Sequence, residues 1–142
     1  AGNCLSQIVS VAGSVRLTGV TTPMRGVTFN SLKSVGGDFI VTGCNGNFWN
    51  FDVMKLETIG GSLVLSDNAR FNGLGGFEAL KSVGGDLTVT GNGTSEGGIP
   101  VVSTSNKVGL DLLGKLYRDG VFADGAVFTI ESGGITYKID EL

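Results

Sequence analysis

The chain contains no histidine, and only two cysteines, two prolines and one tryptophan among its 142 residues. Without histidine the usual general base, nucleophile activator and commonest metal ligand are missing together, so no catalytic residue, metal site or cofactor is expected. Cys4 and Cys44 form at most one disulfide, which suits an oxidising compartment; the other reading is two unpaired, buried small residues. Charge is also sparse, with ten Lys and Arg against thirteen Asp and Glu and a net charge of -3. No long basic run exists, which argues against a nucleic-acid partner. No apolar run approaches the roughly 20 residues of a membrane span, so no membrane span is expected. No basic, apolar, small-residue leader opens the chain, so Ala1 reads as a mature start.

What the chain has in abundance is glycine, 25 residues of it. They punctuate a pattern written four times at a constant spacing: LSQIVSVAGSVRLTG from Leu5, FNSLKSVGGDFIVTG from Phe29, VMKLETIGGSLVLSD from Val53 and FEALKSVGGDLTVTG from Phe77. A fixed period of this length marks repeats that stack coil on coil as a solenoid. Its columns predict the core. Leu5, Phe29, Val53 and Phe77 form the first apolar column, Ile8, Leu32, Leu56 and Leu80 the second, and Val11, Val35, Ile59 and Val83 the third. A small-residue pair follows, Gly36 and Gly37 in the second copy, which permits a tight turn or positive φ. Then comes a strand with period-two alternation, in which Val15 and Leu17, Phe39 and Val41, Leu63 and Leu65, and Leu87 and Val89 face inward. Identical coils translate, so these strands are expected to pair in parallel.

The returning segments contain apolar pairs at spacing three, Met24 and Val27, Phe48 and Phe51, and Phe71 and Leu74, read as turns or short 3₁₀ segments. After Gly91 the repeat decays through a polar, glycine-rich loop. From Ser105, the residues Val108, Leu112, Leu113, Leu116 and Tyr117 share a helical face, with Ser105 or Asn106 as N-cap. AVFTIE and ITYKID flank Ser132–Gly134 as a β-hairpin. The expected organisation is a repeat solenoid over residues 1–100 and a C-terminal cap over 101–142, with a helix at 105–117 and a hairpin at 126–140, in one domain. The fold class expected is mainly β, one coil of four repeats carrying a parallel sheet.

The V-G-G-x-L-x-V-x-x-N form of the unit, Val83 to Asn92, resembles the leucine-rich repeats of receptor L-domains of the bacterial or fungal cell-surface type. The resemblance covers Leu5 to about Asn92. It implies a right-handed solenoid, an extracellular or cell-surface location and a binding or adhesion role. The chain departs from the pattern in its asparagine column, where Asn68 and Asn92 are joined by Cys44 and Val20, and it lacks the cysteine-rich ends of the receptor domains.

The strand residues that face outward form three rows: Ser14, Asp38, Ser62 and Asp86; Arg16, Ile40, Val64 and Thr88; Thr18, Thr42, Ser66 and Thr90. Rungs ~4.8 Å apart make this a small surface fit for a protein or glycan partner, although Thr and Val are common on solvated strand faces. Exposed Ile40 and Val64 favour an interface. The partner-binding set comprises Asp38, Ile40, Thr42, Val64, Ser66, Asp86, Thr88 and Thr90, together with Trp49, whose commoner role is to anchor the coil edge. Asp38 and Asp86, ~9.6 Å apart, are near the upper carboxylate spacing of inverting glycosidases, but a flat sheet has no cleft to raise one pKa. The Thr/Ser row raises ice binding as a minor alternative, and a structural spacer is the main one. Asn92-Gly93-Thr94 is a formal glycosylation sequon, expected to stay unmodified because the Asn92 amide turns inward.

Overall fold

The computed structural model describes residues 4–21, 29–45, 53–71, 73–95, 97–101 and 109–142. Each repeat opens with a turn whose N–H reaches three residues back, Leu32 to Phe29, Leu56 to Val53 and Leu80 to Phe77. The turn brings both apolar residues of each pair to the same side, and all six are buried. The chain then runs through two strands per copy. The first is the dipeptide ending in the third apolar column: β1 (Ser10–Val11), β3 (Ser34–Val35), β5 (Thr58–Ile59) and β7 (Ser82–Val83). The second is the alternating segment: β2 (Val15–Thr18), β4 (Phe39–Thr42), β6 (Leu63–Ser66) and β8 (Leu87–Asn92).

β1, β3, β5 and β7 form a four-stranded parallel sheet, with Val11 opposite Val35, Val35 opposite Ile59 and Ile59 opposite Val83. The longer strands form a second sheet in the order β10-β9-β8-β6-β4-β2, where β9 is Phe128–Ser132 and β10 is Ile135–Tyr137. β2, β4, β6 and β8 pair in parallel with Phe39 opposite Leu63 and Leu63 opposite Leu87. Inward residues of both sheets meet in one core that includes Leu32, Leu56, Val35, Ile59, Phe39, Leu63 and Leu87. The first copy is less enclosed: Leu5, Ile8, Val11 and Leu17 are only partly buried.

The glycine pairs sit at the corner between the two strands, which fits the tight turn expected of them; the alternative, positive φ, is adopted by none of Gly36, Gly37, Gly60, Gly61, Gly84 or Gly85. They serve close approach instead. A Cβ on Gly36 would overlap the carbonyl oxygen of Ala12, one on Gly60 that of Gly36, and one on Gly84 that of Gly60. The backbone ladder continues through the corner, Gly37 N–H to Gly13 at 2.9 Å, Gly61 N–H to Gly37 at 2.9 Å and Gly85 N–H to Gly61 at 2.8 Å.

The expected fold class, a mainly β, single-sheet solenoid with an appended cap, is overturned by this arrangement. Among the described residues there are two sheets, one parallel and one mixed, and one α-helix, an α/β-type fold. Two physical reasons account for the difference. The dipeptides before the glycine pairs are themselves extended and paired, where the sequence marked only their second residue as a core column. The C-terminal hairpin does not stand apart: β9 lies parallel to β8, and only β10 runs antiparallel to β9. The connection from β8 to β9 carries α1 (Asp111–Arg118), making a parallel β-helix-β crossover, the connection that parallel neighbours require. The helix starts later than the expected 105, and Ser105, Asn106 and Val108 lie outside the described residues. Gly109 and Gly114, unfavourable for a helix by propensity, are needed for packing: a Cβ at either would overlap backbone of Pro100 or Leu142. Ile139, expected to continue the last strand, instead opens a 3₁₀ turn, Ile139–Glu141, in which it alone is buried.

Residues 121–123 close the first sheet, with the Val83 N–H donating to Val121 and the Ala123 N–H to Val83, so one C-terminal segment covers the last edge of both sheets. Leu56 is fully buried between neighbouring copies, and Leu56→Ala should cost about 2–5 kcal/mol through lost transfer energy and the cavity left behind. Gly60→Ala should cost about 1–3 kcal/mol by forcing the corner apart. Urea denaturation measures both; an unchanged midpoint for Gly60→Ala would show that the corners are not in enforced contact.

Candidate functional site

Because Phe39, Val41, Leu63, Leu65, Leu87 and Val89 point into the core, their neighbours Ile40, Thr42, Val64, Ser66, Thr88 and Thr90 point away from it. These six are half-buried, flanked by strands on both sides, whereas Arg16 and Thr18 on the edge strand are exposed. Register places Arg16, Ile40, Val64 and Thr88 in one row and Thr18, Thr42, Ser66 and Thr90 in the next. The six central positions carry no charge. Within the hydroxyl row, Ser66 Oγ donates to Thr42 Oγ1 at 2.9 Å, so part of the row's hydrogen-bonding capacity is spent on itself.

The third row is a structural device. Ser14 Oγ accepts the Asp38 N–H at 2.9 Å, Asp38 Oδ1 accepts the Ser62 N–H at 2.7 Å, Ser62 Oγ accepts the Asp86 N–H at 2.9 Å and Asp86 Oδ1 accepts the Val127 N–H at 2.9 Å. Every side chain in this row holds the backbone of the following rung. Asp38 and Asp86 thus each spend one carboxylate oxygen, Oδ1, on register, which ties this row into the scaffold more closely than the other two. Trp49 lies outside the described residues.

Sequence reasoning missed the extension of the face onto β9. Thr129 stands opposite Thr88 and prolongs the Ile40 row. Beyond it, Thr90 and Gly91 of β8 face the single residue Glu131, a β-bulge with Gly91 at φ 64°. Glu131 closes that irregularity, one carboxylate oxygen accepting the Gly91 N–H at 3.0 Å and the other the Gly134 N–H at 2.7 Å. The alternation Phe128, Thr129, Ile130, Glu131 was a visible signal for a strand. Its neighbour was not visible, because the intervening chain breaks the repeat period.

Behind the face runs a buried polar chain. Asn68 Oδ1 accepts the Cys44 N–H at 2.9 Å, and Asn68 Nδ2 donates to the Val41 carbonyl at 3.0 Å and to Asn92 Oδ1 at 2.9 Å. Asn92 Nδ2 donates to the Leu65 carbonyl at 2.7 Å, so the sequon asparagine is committed to the interior, 2% exposed. Cys44 is a free, buried thiol at the end of this chain, its Sγ 3.7 Å from the Leu17 carbonyl and 3.6 Å from that of Thr42. Among the described residues there is no cluster of three or more potential metal ligands, and no helix is long and apolar enough to cross a membrane.

No protein-family model matches the chain, and no match was found among curated proteins or among solved structures. The likeness to receptor L-domain repeats therefore rests on the motif residues alone.

Asn68→Ala leaves the Cys44 N–H and the Val41 carbonyl without their partner inside the core. The expected loss is about 1–3 kcal/mol, read by urea denaturation; a loss within error would mean that water replaces the amide at no cost.

Proposed function

We propose that the chain is a non-catalytic recognition or adhesion domain, extracellular or at a cell surface, that binds a protein or glycan through the outward face of the larger sheet. The observation that carries this reading is the uncharged patch of Ile40 and Val64 beside Thr42, Ser66, Thr88 and Thr90, on strands whose register is held from behind. Pre-organised surfaces bind at lower entropic cost than mobile ones, and half-buried aliphatics rimmed by hydroxyls give both apolar area and orienting hydrogen bonds. Arg16 at one end and Glu131 beyond the other supply the only charge on these rows.

A structural spacer is the second reading, favoured by the side-chain bonds of the Ser14–Asp86 row, which serve cohesion alone. Ice binding is weakened by the Ser66–Thr42 hydrogen bond and by the aliphatic row beside it, since a hydroxyl array for water needs free, regularly repeated groups.

Replacing Ile40, Val64 and Thr88 together with Lys should abolish capture on a glycan array or in a surface-protein pull-down while the protein remains folded by circular dichroism. The milder Ile40→Thr, Val64→Thr pair guards against charge repulsion beside Arg16, and should weaken binding by about tenfold, the equivalent of roughly 1.4 kcal/mol. Binding that neither variant alters would move the site elsewhere. Wild type that captures nothing supports the spacer, and thermal hysteresis in the wild type would favour ice binding.

A further inference from the structure

Away from the sheet face, the C-terminal segment borders an open concavity that the repeat does not foreshadow. Its volume is about 570 Å³, within the range of small-molecule sites, and it lies between the end of α1 and the stretch from Gly120 to Phe128. Three rings line it. Phe128 is the centre, with Tyr117 edge-on at 5.7 Å and 88° and Phe122 edge-on at 5.2 Å and 87°. Phe122 and Phe128 are half-buried and Tyr117 is 40% exposed, so the cluster is packed on one side and open on the other. Phe128 alternates with Thr129 along β9, which puts this concavity on the opposite side of the strand from the outward rows.

Polar groups meet at the same place. Arg118 also lines the concavity, and its guanidinium spends one N–H on the Leu142 carbonyl at 2.6 Å out of the five that the group carries. Asp124 is exposed, lines the concavity and takes part in no ion pair among the described residues. The turn that carries it is closed by the Ala126 N–H donating to Ala123 at 3.2 Å. Gly120 and Gly125 have positive φ, and a Cβ on either would meet nothing within 4 Å, so both open onto free space.

We propose that this concavity is a second binding site, for one neutral hexopyranose unit of a glycan. The ligand class follows from the wall. Rings offer apolar surface to the C–H face of a pyranose. The Asp124 carboxylate accepts from hydroxyls, and the Arg118 guanidinium and Tyr117 phenol donate to them. Fixed charge of both signs at the mouth disfavours an ion of either sign and suits a neutral ligand with alternating donors and acceptors. An organic cation would use the rings and the carboxylate but would meet the Arg118 charge.

The test is titration of the full chain, followed by amide chemical shifts, with methyl glucoside, methyl galactoside and methyl mannoside separately and with choline as the cationic probe. Saturable shifts of Gly120 and of residues 123–126 with at least one glycoside are expected. Asp124→Ala and Tyr117→Ala, both exposed positions, should each weaken that glycoside about tenfold or more, the loss expected for a hydrogen bond to a charged group or a ring contact. The Ile40→Thr, Val64→Thr pair should leave it unchanged, which separates this site from the sheet face. The proposal is overturned if no glycoside shifts these amides at millimolar concentration, if choline alone does so, or if the two pocket variants bind as wild type does.

Discussion

The close approach of successive copies at their corners is the constraint on which the rest depends. Gly36, Gly60 and Gly84 each sit against the backbone carbonyl of the residue one repeat earlier, with no room for a Cβ. That contact sets the rung spacing for both sheets at once, because one strand enters and another leaves each corner. With the corners in contact, Val35, Ile59 and Val83 align in one sheet and Phe39, Leu63 and Leu87 in the other. The side-chain row from Ser14 to Asp86 then holds the register where the long strands begin, and the buried asparagine chain ties together the far ends of β4, β6 and β8. Neither would find its partner if the corners were a methyl group further apart.

A surface follows from this without any element devoted to it. The same alternation that sends Phe39 and Val41 inward displays Ile40 and Thr42, and the shared register joins the outward residues of four separate strands into continuous rows. Rigidity of such a face comes from hydrogen bonds behind and beside it. Stability and the proposed recognition therefore draw on different side chains, which lets the outward residues vary with little consequence for the core.

The columns of the core were legible in the sequence because burial acts on each copy identically: Leu32, Leu56 and Leu80 occupy equivalent sites and all are buried. Extended strands around Phe39–Val41 and Leu63–Leu65 were legible for the same reason. The sheet of short strands was not, since Ser34–Val35 and its counterparts are two residues long and carry no periodicity of their own; only pairing with neighbours makes them strands. The glycines were legible as a tight corner but not for its cause, as sequence cannot distinguish a residue that needs positive φ from one that needs an absent side chain. Past Gly91 the local patterns of a helix and two strands survived, while the parallel placement of β9 beside β8 depended on contacts across a stretch without repeat. The aromatic concavity went unseen with it: Tyr117, Phe122 and Phe128 become neighbours only when that crossover closes.

The covering of the stack is unequal at its two ends, and this gives its fluctuations a direction. At the last copy, β9 and residues 121–123 pair with both sheets and tie α1 into the same unit, so that none can leave without uncovering the others. At the first copy, Leu5, Ile8, Val11 and Leu17 are only partly enclosed, and β2 has one strand neighbour. Partial unfolding is cheapest where fewest buried contacts are lost. Among the described residues, then, the contacts that hold the outward face are fewest at its Arg16 and Thr18 end and most numerous at its Thr88 and Thr129 end, so the first is its more adaptable margin and the second its more fixed one.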